Sequence, residues 1–179
     1  MKHRGNMLVF LDTEFTDFPE AECDLIAIGL VDEAGREFYA ELTDYRNEAC
    51  TGFVRENVLP LLGKHEPRVA GTRYAVAKDL AEWLQEYEKE CIVCFDYNTD
   101  WQLMRDMLML LPEDMRPDFL TTRNIWGDLD QHALDWFWLE KDAFSWKPHM
   151  ALYDAHANLF AYKPLVRTRY ERTNRKNCC

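Results

Sequence analysis

The chain has 179 residues, 47% of them hydrophobic and 13% aromatic, a length and composition that suit one compact domain with a substantial core. Its net charge of −11 argues against a general nucleic-acid coat, because phosphate affinity comes mainly from Lys and Arg. No apolar run approaches the roughly 18 residues needed to cross a bilayer, and the stretch before the first strand is too short for a secretory signal, so no membrane partner and a cytoplasmic location are expected.

In chain order, residues 7–11 form a continuous apolar run that ends in Asp-Thr-Glu and predicts a central strand. A loop with Asp17 and Pro19 follows. Residues 25–31 and 37–42, joined by a turn around Asp32 to Gly35, predict two more strands, and the three together an antiparallel meander. Helical patterns then cover residues 53–62, broken by Pro60, and 75–88, where Leu80, Trp83, Leu84 and Tyr87 recur at helical spacing. Residues 91–95 predict a strand. Residues 99–111 predict a helix with Leu103, Met104, Met107, Leu108 and Leu111 on one face, ended by Pro112. A weaker strand over 119–125 and helices over 129–140 and 151–162 complete the pattern. This order predicts an α/β fold, a mixed sheet with helices on both faces, in one domain over residues 1–162.

Residues 163–179 form a basic C-terminal tail, with six basic side chains against Glu171 for a charge of +5, leaving −16 on the preceding 162 residues. It reads either as a solvated segment or as a phosphate-contacting arm. The six cysteines show no small-scaffold spacing and are read as reduced. Cys91 and Cys94 lie in an apolar strand, and residues three apart on a strand face opposite ways, so they are expected in the core and not on one metal.

The residues that point to chemistry are acids. Asp12 and Glu14, two apart at a strand end, share a face and can reach one ion; such like charges must raise a pKa or find a cation, and a hard divalent ion bound through oxygen is a natural solution. Asp100, near the start of the helix after the second apolar strand, points at the sheet by its spacing from Leu103 and Met104. An acid there also offsets the helix dipole for purely structural reasons, and Asp96 at the strand end is a rival for its role. Asp154 shares a helix face with Ala151, Ala155, Asn158 and Leu159, small or apolar residues that let backbones approach. His149, just after Pro148, is expected on the loop leading into that helix, arched over the metal face. His3, His65, His132 and His156 read as structural or surface residues.

Three motifs in order, Asp-Thr-Glu-Phe at 12–15, Asp100 within Phe-Asp-Tyr-Asn-Thr-Asp-Trp at 95–101, and His-Met-Ala-Leu-Tyr-Asp at 149–154, resemble the DEDD exonuclease superfamily. The H-x4-D spacing is similar to that of its histidine branch, and the chain is similar to small bacterial exoribonucleases. The resemblance covers about residues 7–162. It implies a ribonuclease H-like fold with a mixed five-stranded sheet, two Mg²⁺ or Mn²⁺ ions, and removal of nucleoside monophosphates from the 3′ end of single-stranded RNA or DNA. It also implies Asp12, Glu14, Asp100 and Asp154 as direct or water-mediated metal ligands and His149 as general base. Many relatives carry His-Asn upstream of the middle acid, where this chain has Phe95 and Asp96. Two ions roughly 3.5 to 4 Å apart suit phosphodiester hydrolysis, because they stabilise both the attacking and the leaving oxygen.

On the substrate side, Thr13, Phe15 and Trp101 are candidates to touch the terminal nucleotide, with core packing the alternative for the aromatic pair. RNA is preferred over DNA by resemblance alone. A proofreading-type DNA exonuclease and a catalytically silent RNA-binding module of the same fold remain alternatives. An aspartyl-phosphate phosphatase would want a second Asp where Glu14 stands. Trp126, Trp136, Phe137 and Trp138 either form an apolar patch for a homodimer or belong to the core.

Overall fold

The computed structural model describes residues 6–17, 23–66, 68–87, 91–142 and 146–166. The expected loop at Pro19, the helix end at Glu88, His3, the cysteines Cys178 and Cys179, and the basic residues from Arg167 to Lys176 lie outside the described residues.

The continuous apolar run of residues 7–11 puts the first strand, β1 (Met7–Phe15), inside the sheet, and Val9, Phe10 and Leu11 are all fully buried. The hairpin of β2 (Leu25–Asp32) and β3 (Glu37–Leu42) completes the antiparallel meander. Its turn is closed by Asp32, whose Oδ1 accepts from the N–H of Ala34 at 2.8 Å and of Arg36 at 2.9 Å, while Gly35 takes a φ of 89° that a side chain would resist. Three short parallel pairings extend the sheet: β4 (Val69–Gly71) on β3, β5 (Cys91–Phe95) on β1, and β6 (Leu120–Asn124) on β5. The order is β4-β3-β2-β1-β5-β6.

The mixed α/β sheet flanked by helices thus has the expected ribonuclease H-like architecture, with one strand more than the five expected. The additional strand, β4, is three residues of Val-Ala-Gly. So short a segment has no periodicity to read, and it is a strand only because β3 supplies its hydrogen-bonding partner.

Among the described residues there are five α-helices. These are α1 (Gly52–Asn57), α2 (Arg73–Gln85), α3 (Asn98–Leu108), α4 (Gln131–Asp142) and α5 (Ala151–Ala161). Thr51 starts α1 by accepting from the Val54 N–H at 3.2 Å, and the expected break near Pro60 appears as a separate 3-10 turn, Leu59–Leu61. On one face of the sheet, Val9, Leu11, Ile28 and Leu30 pack with Leu80 and Leu84 of α2 and Met104 and Met107 of α3. On the other, Phe10, Val31 and Cys94 pack with Ala155, and Ala27 and Tyr39 with Ala151 and Leu152, all from α5. Cys91 falls in the first layer and Cys94 in the second, as the alternation of a strand requires.

Helix α4 lies outside α5. Phe137 is buried there, Trp136 stacks on Phe160 with ring centres 5.3 Å apart, and Trp136 and Trp126 remain exposed. The first residues of the basic tail stay with the domain: Leu165 packs beside Phe10 and Tyr162, and the Lys163 ammonium donates to the Gly127 carbonyl at 3.1 Å. Among the described residues no helix is long and apolar enough to cross a membrane.

In the second layer, β2 and α5 approach closely at Gly29. A Cβ there would stand 2.3 Å from the Leu152 nitrogen and 2.4 Å from the Ala151 carbonyl carbon, so only glycine lets the start of α5 rest on the sheet. Gly29→Ala is expected to destabilise the fold by about 1–3 kcal/mol, the usual cost of overpacking, with a lower urea midpoint followed by circular dichroism. An unchanged midpoint would mean that the helix start moves aside at no cost.

Candidate metal centre

The register of the parallel pair β1–β5 sets the site. Phe10 stands opposite Cys94, both facing α5, so Asp12 within β1 and Asp96 just past the end of β5, each two residues further on, come out beside each other where the parallel pairing ends. Beside them begin α3 and α5, each with an acid in its first turn, Asp100 and Asp154. The partial positive charge of a helix start suits an acid at either place.

Each of three carboxylates has one oxygen tied by the protein. The Thr13 hydroxyl donates to Asp100 Oδ1 at 2.7 Å; the N–H groups of His149 and Met150 donate to Asp154 Oδ2 at 2.8 and 3.1 Å; and the Asn158 amide donates to Asp96 Oδ1 at 2.8 Å. The carboxylates converge in two sets. Asp12, Glu14 and Asp154 can offer ligand atoms all within 4.8 Å of one another, and so can Asp12, Asp96 and Asp100, with Asp12 common to both. Asp100 Oδ2 is buried and has no hydrogen-bond partner among the described residues. A buried, orphaned carboxylate oxygen among like charges is poorly placed for anything but a cation, and a donor set made only of carboxylates fits a hard divalent ion. The residues present therefore fit the metal ions that the motifs imply.

Without a cation the surroundings favour the protonated form of these acids. Burial, reinforced by the neighbouring carboxylates, raises Asp12 and Glu14 well above the usual acid range. Burial likewise pushes Asp100 up to about 8 and Asp154 up to about 7, although the Thr13 hydroxyl and the His149 N–H pull the other way.

The acids line a cleft of about 510 Å³ that also takes in Thr13, Phe15, Phe53, Tyr97 and His149. In an unbroken strand Phe15 would face away from Glu14. The pairing with β2 slips between these two residues, and this irregularity lets both line the cleft. His149 occupies the loop before α5, as expected, with a φ of 68° that few non-glycine residues adopt. Its ring meets Phe53 edge-on with centres 4.9 Å apart, and burial lowers its pKa. The ring is outside both carboxylate sets. Trp101 is away from the cleft: it stacks on Phe95 at 6.5 Å and packs against the main core.

Sequence reasoning treated Asp96 and Asp100 as rivals, whereas the cleft contains both. It missed Phe53 and Tyr97 as cleft walls, and no local pattern marks them. Asn158 had a signal, being one helical turn beyond Asp154 on the same face.

No family model matches the chain. It is similar to two 3′-5′ exoribonucleases of Mycobacterium tuberculosis, from strains CDC 1551 and H37Rv, each 38% identical over 79 residues. That stretch is 44% of this chain and 46% of each relative, so the match spans about half the length of these curated relatives. The similarity supports membership in the broader DEDD exonuclease superfamily. The two carboxylate sets meet the superfamily's expectation of acids able to coordinate metal ions.

A pH dependence follows from the raised acids. Folded, Asp100 and Asp154 keep protons that the unfolded chain, with acids near 4, has already released, so the stability they contribute below about pH 4 is lost as pH rises through about 7 to 8. In EDTA, the melting temperature should fall between pH 5 and 8, and Mn²⁺ should raise it most at pH 8. Asp100→Asn should flatten the EDTA slope. Differential scanning fluorimetry across this range is the check, and a melting temperature that rises with pH in EDTA would contradict the assignment.

Proposed function

We propose that the chain is a metal-dependent 3′-5′ exonuclease of the histidine branch of the DEDD superfamily, hydrolysing single-stranded RNA from its 3′ end to nucleoside monophosphates. The observation that carries this reading is the pair of carboxylate sets sharing Asp12 in one cleft, with a histidine on the cleft wall. The names of the two similar proteins favour RNA over DNA.

Glu14 and Asp154 would hold one divalent ion and Asp100 the other, with Asp12 between them. Two bound Mg²⁺ or Mn²⁺ ions would supply an activated water and offset charge on the leaving oxygen. Burial lowers the pKa of His149 and so favours its neutral form, whose ring can take a proton from the attacking water. The strained backbone at His149 also serves a purpose, because the same residue that offers the ring gives its N–H to Asp154. Phe15 and Thr13 stand beside the acids where the terminal nucleoside would rest, and the half-exposed rings of Phe53 and Tyr97 offer flat apolar faces for bases.

Time-resolved gels of 5′-labelled single-stranded RNA and DNA with Mg²⁺, Mn²⁺ or EDTA test this. The expected result is a metal-dependent ladder shortening from the 3′ end, faster on RNA and absent in Asp12→Ala. His149→Ala should slow turnover by roughly 10² to 10⁴-fold while Mn²⁺ affinity stays near wild type. Binding of RNA without shortening in any metal would favour a silent binding module.

The exposed apolar side chains of Trp136 and Leu139 on α4 also favour pairing of two copies through that helix. Sedimentation should then show a dimer that Leu139→Asp with Trp136→Asp converts to monomer, whereas a wild-type monomer would end that idea.

A further inference from the structure

We propose that Asp96 is a third protein carboxylate on the cation position of Asp12 and Asp100, aimed there by Asn158, so that this position fills without help from a substrate phosphate. The proposal rests on the nuclease reading for the presence of cations and goes beyond it in assigning Asp96.

Four observations converge. The β1–β5 register delivers Asp96 beside Asp12 on the α5 side of the sheet. Ligand atoms of Asp12, Asp96 and Asp100 all lie within 4.8 Å of one another. Asp100, a member of this set, is only 2% exposed, and its buried Oδ2 has no hydrogen-bond partner among the described residues, independently marking a place that lacks its counter-charge. Finally, Asp96 Oδ1 is held by the Asn158 amide at 2.8 Å, and Asn158 is itself buried, one turn beyond Asp154. One helix thereby positions acids for both cation positions, Asp154 directly and Asp96 through Asn158.

Charge gives this arrangement a consequence. Cation affinity at an oxygen site rises with the number of charged ligands. Two carboxylates leave a divalent ion dependent on additional anionic oxygens such as those of a phosphodiester, whereas three bind it unaided. The cost is that five carboxylates surround the two cation positions, against two divalent ions, and this excess negative charge attracts phosphate less than a compensated set would.

The test is isothermal titration of the metal-free full chain with Mn²⁺ at pH 8, without nucleic acid, in wild type and Asp96→Asn. The asparagine keeps an oxygen that can accept from Asn158, so the fold is preserved, and melting in EDTA verifies this. Wild type should take up two ions. Asp96→Asn should bind the first within about twofold of wild type and the second about tenfold or more weakly, the scale of loss seen when a metal site loses a supporting group. Electron paramagnetic resonance gives a second readout, since the spin-coupled signal of adjacent Mn²⁺ ions should fade in the variant at equal loading. Unchanged affinity and coupling in Asp96→Asn, or a single ion in wild type, would overturn the assignment while leaving the nuclease reading intact. Absence of any Mn²⁺ binding to wild type would overturn both.

Discussion

Repulsion among carboxylates gathered around Asp12 constrains everything else in this molecule. Two unit charges about 4.8 Å apart, at an effective dielectric near 20, repel by roughly 3.5 kcal/mol, and Asp12 faces such neighbours in two directions. A fold that is stable by only about 5–15 kcal/mol carries this burden by protonating some of the acids, by tying individual oxygens to Thr13, Asn158 and the His149 N–H, and by leaving the remaining oxygens to cations. Stability and cation binding are therefore linked through the same few atoms.

The rest of the architecture serves to hold those acids close against their repulsion. The sheet supplies rigidity on one side: Asp12 and Asp96 each stand two residues beyond Phe10 and Cys94, which are paired on adjacent parallel strands and fully buried. Helix α5 supplies it on the other, and it approaches only because Gly29 and the alanines at 151 and 155 leave room for backbone against backbone. Gly29 is the cross-strand partner of Asp12 itself. The residue that admits the helix and the residue at the centre of the acids thus occupy one rung of the sheet, and loosening the first would spread the second from its neighbours.

Aromatic side chains divide the remaining labour by depth. Phe38, Trp83 and Tyr87 close the far layer, where the Tyr87 hydroxyl reaches Asp32 at 2.9 Å. Phe15, Phe53 and Tyr97 rim the cleft, next to the acids. Trp136, Phe137 and Phe160 join α4 to α5, so part of what composition alone offered as a patch is internal packing. The strained loop at His149 connects these regions, since its ring rests on Phe53 while its N–H fixes Asp154.

Much was legible in the sequence by itself because it depends on local chemistry. Apolar runs and helical spacing located the meander, the main helices and the core faces, and period-two alternation placed Asp12 with Glu14 and separated Cys91 from Cys94. Helix-start position and spacing directed Asp100 and Asp154 inward, and Pro148 placed His149 on a loop. What only the tertiary structure decided depends on partners distant in the chain. The short strand Val69–Gly71 exists through its pairing with β3, and Phe53 reaches the cleft because of how α1 is placed and not by any pattern of its own. Trp101 turned to the core because Phe95 offered a stacking partner. Asp96 and Asp100, alternatives in one dimension, stand together in three, because a strand end and the first turn of the next helix can present two acids to a single point that only β1 and α5 define.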